Sequence, residues 1–325
     1  AGAPAQAVDA TDLIVTDDCF QDAAPLLEPT RERVRGVLAP LVEAGVTPVV
    51  TGYIGATEEG VSTTLGRGGS DFSASLIGAM LGCDEVWIWT DVDGVMTADP
   101  RLVPGARTID TLTHAEVSEL AYFGAKVLHP KTIRPLLEAG IPLRVKNTFN
   151  PAHPGTRVVA NGSGSARPLK AVTAIRDMSL ISVVGKGMLG MPGFAARTFA
   201  AVAQTGTNVL LISQSSSEQS ICFVVPRAST RAVVDALNGA FALELTRGDI
   251  DRVTAQDEVT VITVVGERMR HTPGVAGQVF SATGERGVSM LALAQGSSDC
   301  SLSLVVEAAV ADAALQAIHQ LIVKM

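Results

Sequence analysis

The sequence predicts an α/β protein in two parts, on three observations. Strand and helix signals alternate over residues 1–160. A Gly/Ser stretch, ANGSGSARP at 160–168, reads as a flexible linker. Beyond it the chain duplicates itself once. Strands alternating with helices imply a largely parallel sheet sandwiched by helices. A single long duplication suits two copies of one small α/β domain, since solenoid periods are shorter.

The elements follow in order. VTPVVTGYIG (46–55) and DEVWIWTDVDG (84–94) each hold a β-branched or aromatic run that ends in turn residues. Between them SDFSASLIGAMLG reads as a helix, with Ser70 as its cap, Asp71 in its first turn and Gly82 closing it. THAEVSELAYFGA opens on a Thr113-x-x-Glu116 capping box. HPKTIRPLLEAG has Pro130 near its first turn and Gly140 after its end, while Pro135 is expected to shorten or kink it. IPLRVKN (141–147) is a further strand.

In the second part, Gly193 and Gly274, Phe199 and Phe280, Gln214 and Gln295, and Ser220 and Ser301 all stand 81 residues apart. Each copy reads strand, helix, strand, strand, helix. The first copy is followed by a strand-like FALELTRG; the second stops after its helix and lacks a last strand. The alternating LKAVTAI (169–175) is expected to cross over and supply it.

Bulk properties narrow the function. The 325 residues, 47% hydrophobic and 18% charged, give room for two globular domains. A net charge of −8 argues against a nucleic-acid partner, which needs a basic face. No apolar run reaches transmembrane length, and AGAPAQAVDA lacks the regions of a signal peptide, so no membrane partner and a cytoplasmic location are expected. Cys19, Cys83, Cys222 and Cys300 are scattered like reduced thiols, and the five histidines show no metal-ligand spacing. The chain opens on alanines without an initiator Met, so a fragment, or a chain missing its start, is expected.

Three stretches carry chemistry. In TTLGRGGSDFSAS (63–75) glycines precede a helix, as in a phosphate loop, but Arg67 and Asp71 stand where a lysine is expected. Gly68 and Gly69 amides at a helix start suit an anion, Arg67 matches a carboxylate bidentately, and Asp71 suits an ammonium. The set fits a zwitterionic amino acid; the same residues also make a plain Gly-rich turn. WTDVDGVMTADPR (89–101) ends a hydrophobic strand, where open sheets bind ligands, so Asp91 and Asp93 suit a nucleotide, or simply two turns. FGAKVLHP (123–130) holds Lys126, the chain's first lysine and a phosphate candidate, or else a surface cation. His129 is expected to pack and cap.

LGRGGSD, WTDVDGV…TADPR and FGAKVLHP, in that order, resemble the aspartate kinases of the amino-acid kinase family. The duplicated half is similar to their two ACT regulatory domains. LISQSSSEQSI and AQGSSDCSLSLVVE look most like the threonine-sensitive type, including the bifunctional aspartate kinase–homoserine dehydrogenases. The resemblance implies an amino-acid-kinase domain part at 1–160, a linker at 161–168, and ferredoxin-like βαββαβ ACT domains at 169–250 and 251–325. It implies phosphorylation of L-aspartate by ATP with Mg²⁺, in lysine, threonine and methionine biosynthesis.

By the same resemblance, Tyr53, Thr64, Arg67, Gly68, Gly69, Ser70 and Asp71 hold the substrate. Thr90, Asp91, Asp93, Gly94, Met96, Arg101, Lys126 and Val127 contact ATP, with Met96 where many members have Tyr. Arg67, Asp71 and Lys126 are the catalytic group. Met191, Gly193, Asn208, Gln214 and Gln295 receive an effector, threonine ahead of lysine, and ACT pairing gives a homodimer or higher homo-oligomer. The family's K-F-G-G-T-S-type loop has no counterpart here, so negligible kinase activity is expected from this chain alone. The alternative reading is a catalytically inactive amino-acid sensor.

Overall fold

The structure, a computed structural model, describes residues 2–124, 128–160, 162, 168–186, 193–215, 219–295 and 300–324. It divides into two compact units: Ala1–Met96 with Arg107–Ala166, and Thr97–Ala106 with Arg167–Met325. The inclusion of 97–106 in the second unit is a feature that the sequence pattern does not foretell.

In the first unit, β1 (Ala5–Val8) pairs in parallel with β2 (Thr47–Val50), and α1 (Leu27–Glu43) crosses between them. α1 turns Thr30, Val34 and Leu38 inward, the spacing of one helical face. Thr30 escapes the cost of a buried hydroxyl because it bonds both the amide and the carbonyl of Val15, at 3.0 and 3.1 Å. α2 (Gly69–Leu81) adds Phe72, Leu76 and Met80 to the same core. β3 (Ile54–Ala56) and β4 (Ser62–Thr64) form a hairpin. β5 (Val86–Thr90) and β7 (Leu143–Asn147) are parallel; β8 (Thr156–Val159) runs antiparallel to β7 and parallel to β6 (Thr111–Thr113). β5 alternates buried Val86 and Ile88 with half-exposed Trp87 and Trp89.

Helix ends follow local chemistry, with two corrections. The cap of α2 is Gly68 in the left-handed region (φ 73°), and Ser70 lies inside the first turn. α4 (Pro130–Ala139) runs unbroken through Pro135, capped at its start by His129, whose Nδ1 accepts from the Lys131 amide at 3.3 Å. Its end at left-handed Gly140, and that of α2 at Gly82, are as expected. α3 (His114–Tyr122) carries the Thr113–Glu116 capping box, with both reciprocal bonds formed.

The second unit is built on two long strands, β9 (Ala171–Val184) and β12 (Arg252–Val265), paired antiparallel along most of their length. The far half of β9 pairs with β11 (Ser220–Pro226), and the far half of β12 with β14 (Ser301–Glu307). β10 (Leu211–Gln214) and β13 (Ala292–Ala294) complete the order β10-β11-β9-β12-β14-β13. α5 (Phe194–Gln204) and α6 (Thr230–Ala240) cover the first copy; α8 (Val275–Gly284) and α9 (Ala311–Lys324) cover the second.

The expected crossover is present: Ala171–Ile175 pair with Val261–Val265 of the second copy. It is reciprocated, because Arg252–Gln256 pair with Leu180–Val184 of the first. That exchange explains a correction: FALELTRG is no strand, and Ala242–Arg247 form helix α7. The first copy takes its last strand from β12, which leaves these helix-forming residues free to coil and Phe241 free to stack on Phe194 at 4.8 Å.

The two long strands bend where Asp177 and Glu258, equivalent residues of the two copies, take φ 57°. A left-handed non-glycine costs on the order of 1–2 kcal/mol, and asparagine tolerates it better than glutamate. Glu258→Asn is therefore expected to raise the thermal midpoint, by up to about 1 kcal/mol of stability, since its exposed pair with Arg227 contributes little. Scanning calorimetry showing no rise contradicts the strain. His114 is 2% exposed, and among the described residues neither ring nitrogen meets a hydrogen-bond partner. Burial holds its pKa below the ordinary 6.5. Below that pH the unfolded chain takes a proton that the folded imidazole refuses, so stability falls on acidification, with a slope of at most about 1.4 kcal/mol per pH unit. Denaturant unfolding at neutral and acidic pH should show a smaller loss for His114→Phe than for the parent; equal losses contradict this.

Candidate functional site

The glycine loop of 65–69 is shaped by contact with Tyr53. Tyr53 has φ 78°, a strained value for an aromatic residue, and is fixed by three neighbours. Its amide donates to Ser73 Oγ at 3.0 Å, Ser73 Oγ donates to Gly69 O at 2.9 Å, and the Leu65 amide donates to Tyr53 O at 2.9 Å. A Cβ on Gly69 would lie 2.8 Å from the Tyr53 ring, so only glycine lets the two loops close. Tyr53 remains 44% exposed beside the start of α2.

The amides differ from expectation. Gly69 N–H is used by Gly66 O at 3.0 Å, and the first helical bond runs from the Phe72 amide to Gly68 O at 2.9 Å. The amides of Ser70 and Asp71 precede that bond and, at a helix start, have no intrahelical partner. Arg67 and Ser70 are exposed, Thr64 is half-buried at the end of β4, and its hydroxyl donates to Phe20 O at 3.0 Å. Asp71 is half-buried, and burial raises its carboxyl above the ordinary 3.8. A carboxylate in that state gains from an incoming cation.

The loop is braced from two sides that sequence reasoning missed. A Cβ on Gly68 would meet His129 at 3.0 Å, so the starts of α2 and α4 adjoin. Lys131 Nζ holds Asp22 at 2.7 Å and Leu65 O at 3.4 Å, tying the 17–24 loop to the glycine loop. The Lys131 charge lowers the Asp22 pKa through this bond.

At the end of β5, Thr90 donates to Asp91 at 3.1 Å and Asp91 is exposed. Asp93 is already engaged: Asn147 and Asn150 amides donate to its Oδ1 at 2.8 and 3.1 Å, and the Asn147 bond chiefly lowers its pKa. Asp93 thus ties the turn to the residues after β7. Gly94 is packed against Thr156, whose hydroxyl accepts from the Val95 amide at 2.8 Å. Met96 bridges to Thr108. Arg101 belongs to the second unit, chelated by Asp99 at 2.6 Å. Lys126 and Val127 lie outside the described residues.

Among the effector positions, Gly193 is the left-handed cap of α5 (φ 83°), as Gly274 is of α8 (φ 87°). Neither has a side-chain cap bond. Asn208 is exposed before β10, Gln214 ends β10, and Gln295 follows β13, all accessible. Met191 lies outside the described residues.

Comparison with known proteins joins these parts. The Amino acid kinase family profile matches residues 1–147, and an ACT domain profile matches 181–241 and 262–321. The chain is 43% identical over 272 residues to the bifunctional aspartokinase/homoserine dehydrogenase of Haemophilus influenzae, covering 84% of this chain and 33% of that protein. It thus spans about a third of the length of such bifunctional relatives. The crystal structure of E. coli aspartokinase III in complex with aspartate and ADP matches with TM-score 0.74 and 31% identity, over 98% of this chain and 70% of that one. Clostridium acetobutylicum aspartate kinase matches with TM-score 0.84 and 25% identity, over 97% and 70%. With the amino acid kinase profile over the first part, paired ACT copies in the second and 31% identity over 70% of E. coli aspartokinase III, the chain belongs to the aspartokinase family.

Proposed function

We propose that the protein containing this chain transfers the γ-phosphoryl group of ATP to the side-chain carboxylate of L-aspartate, under feedback by an amino acid, threonine ahead of lysine, at the ACT copies. The observation that carries the reading is the start of α2. It gathers Arg67, amides without an intrahelical partner and the half-buried carboxylate of Asp71, groups that suit the two ends of a zwitterion.

An aspartate side chain, with an ordinary pKa of about 3.9, is already ionised at neutral pH and needs no general base. The barrier is repulsion between two anions, so the task of the protein is positioning and charge neutralisation. Arg67 anchors the carboxylate of the substrate with its planar fork, Asp71 holds and orients the ammonium, and Tyr53 walls the pocket. Lys126, by resemblance, neutralises phosphate charge. Among the described residues no group of three acidic, His or Cys side chains gathers as a metal site. Mg²⁺ therefore fits as an ion carried on the nucleotide phosphates, where it supplies charge neutralisation, with Asp91 the exposed carboxylate nearest the strand end. No described helix is long and apolar enough to cross a membrane; we place the protein in the cytoplasm, as a homodimer paired through its ACT copies.

Calorimetric titration tests the substrate reading. L-Aspartate should bind, and Arg67→Lys, which keeps the charge but loses the fork, should weaken it roughly 10- to 100-fold, the scale of a lost charged hydrogen bond. No aspartate binding by the folded parent, or equal binding by the variant, overturns it. For the effector, Gln214→Ala combined with Gln295→Ala should weaken threonine binding at least tenfold and leave aspartate binding unchanged. An unaltered threonine titration contradicts the assignment.

A further inference from the structure

The glycines of the 66–69 loop are each pressed by a side chain from another element. A Cβ on Gly66 would run into the Asp22 carboxylate, and one on Gly69 into the Tyr53 ring. One on Gly68 would lie 3.0 Å from His129 Cβ and 3.4 Å from Thr132 Oγ1. Two of these polar neighbours are engaged: Asp22 is held by Lys131 Nζ, and His129 Nδ1 accepts from the Lys131 amide. Thr132 is not. It is 0% exposed in the first turn of α4, and among the described residues its hydroxyl has no hydrogen-bond partner. A buried hydroxyl left unbonded has lost its water and gained nothing in return, so folds keep few of them. This one sits where two helix starts adjoin, and the dipoles of both favour an anion. Gly66 and Gly68, at φ 72° and 73°, are residues about which the loop turns at little cost.

We propose that Thr132 is a positioning residue of the amino-acid site: its hydroxyl, unbonded in this structure, bonds the Gly68 peptide when a carboxylate seats at the start of α2. That the carboxylate belongs to aspartate rests on the function proposed above; the part of the hydroxyl in anion binding does not. A carboxylate that accepts from the Ser70 and Asp71 amides draws the first turn of α2 toward itself, and the Gly68 peptide moves with it. The left-handed glycines absorb the rotation. The Gly68 carbonyl accepts from the Phe72 amide at 2.9 Å and keeps a second lone pair, to which the Thr132 hydroxyl donates. A group bonded in one position of the loop and unbonded in the other supplies the difference in free energy by which a ligand shifts the loop. The hydroxyl therefore contributes to binding and not to folding.

Calorimetric titration of the full chain with L-aspartate, and with sulfate as a plain anion, tests this, beside the thermal midpoint measured without either ligand. Thr132→Val is nearly isosteric and deletes the hydroxyl. Its midpoint should equal or exceed that of the parent, because an unbonded buried hydroxyl has been removed. Aspartate binding should weaken about tenfold, the scale of one hydrogen bond. A hydroxyl that serves only the fold gives the opposite pair of results, a lower midpoint with unmoved affinity. Thr132→Ser, which returns the hydroxyl, should recover parental affinity. A lower midpoint for Thr132→Val shows that the hydroxyl is already bonded and overturns the proposal; so does parental aspartate affinity in that variant. If the parent binds no aspartate, the functional reading fails and sulfate decides the rest. Sulfate binding weakened about tenfold in Thr132→Val sustains the positioning role, whereas equal binding, or none by the parent, overturns it.

Discussion

The antiparallel pairing of β9 with β12 is the constraint on which the regulatory unit depends. Each ACT copy alone is one strand short. By running the two strands past each other, the chain gives each copy the strand it lacks and leaves neither able to complete its sheet without the other. The cost is local: Asp177 and Glu258 bend into the left-handed region where the strands pass from one copy to the other. The return is that the edges to either side are paired with β11 and β14, and that 97–106 can lie against β9 as part of the same body. A ligand bound in one copy would act on an element shared by both.

One local device recurs at three helix starts. α2, α5 and α8 begin after glycines at φ 73°, 83° and 87°, and none has a side chain closing its first turn. A left-handed glycine opens the helix start to a carboxylate while adding no bulk. In the first unit this opening is enforced by strain, because Tyr53 is held in an unfavourable backbone state by Ser73 and Leu65 so that its ring lies on Gly69. Strain held in place by surrounding bonds is a usual mark of a working site.

Much of this was legible in the sequence where one residue type dictates one geometry. The capping box at Thr113, the helix stops at Gly82 and Gly140, and the crossover of 169–175 follow from local chemistry or from a missing strand. The failures share another cause. With Gly66, Gly68 and Gly69 in one loop, composition alone does not say which one caps α2; the packing of Tyr53 and His129 does. FALELTRG has the alternation of a strand, and only the arrival of β12 leaves it helical. TADPRLVPGA looks like a loop because its few apolar residues are broken by turn residues, and His319, the partner of its Thr97, is 222 residues away. The clamps on Asp93, Asn147 and Asn150, sit in a separate turn whose signal is only their amide chemistry.

The central claim, that the two copies exchange strands within one chain, is tested most directly by a covalent link. Thr173 and Thr263 are register partners in β9 and β12, and antiparallel partners lie about 4.5–5.5 Å apart at Cα, within disulfide reach. Thr173→Cys with Thr263→Cys, in a background without the four native cysteines, should oxidise to an intramolecular disulfide in the folded protein, identified by mass spectrometry of the linked peptides. Failure of folded protein to form the link, or a link found only between chains, would contradict the account.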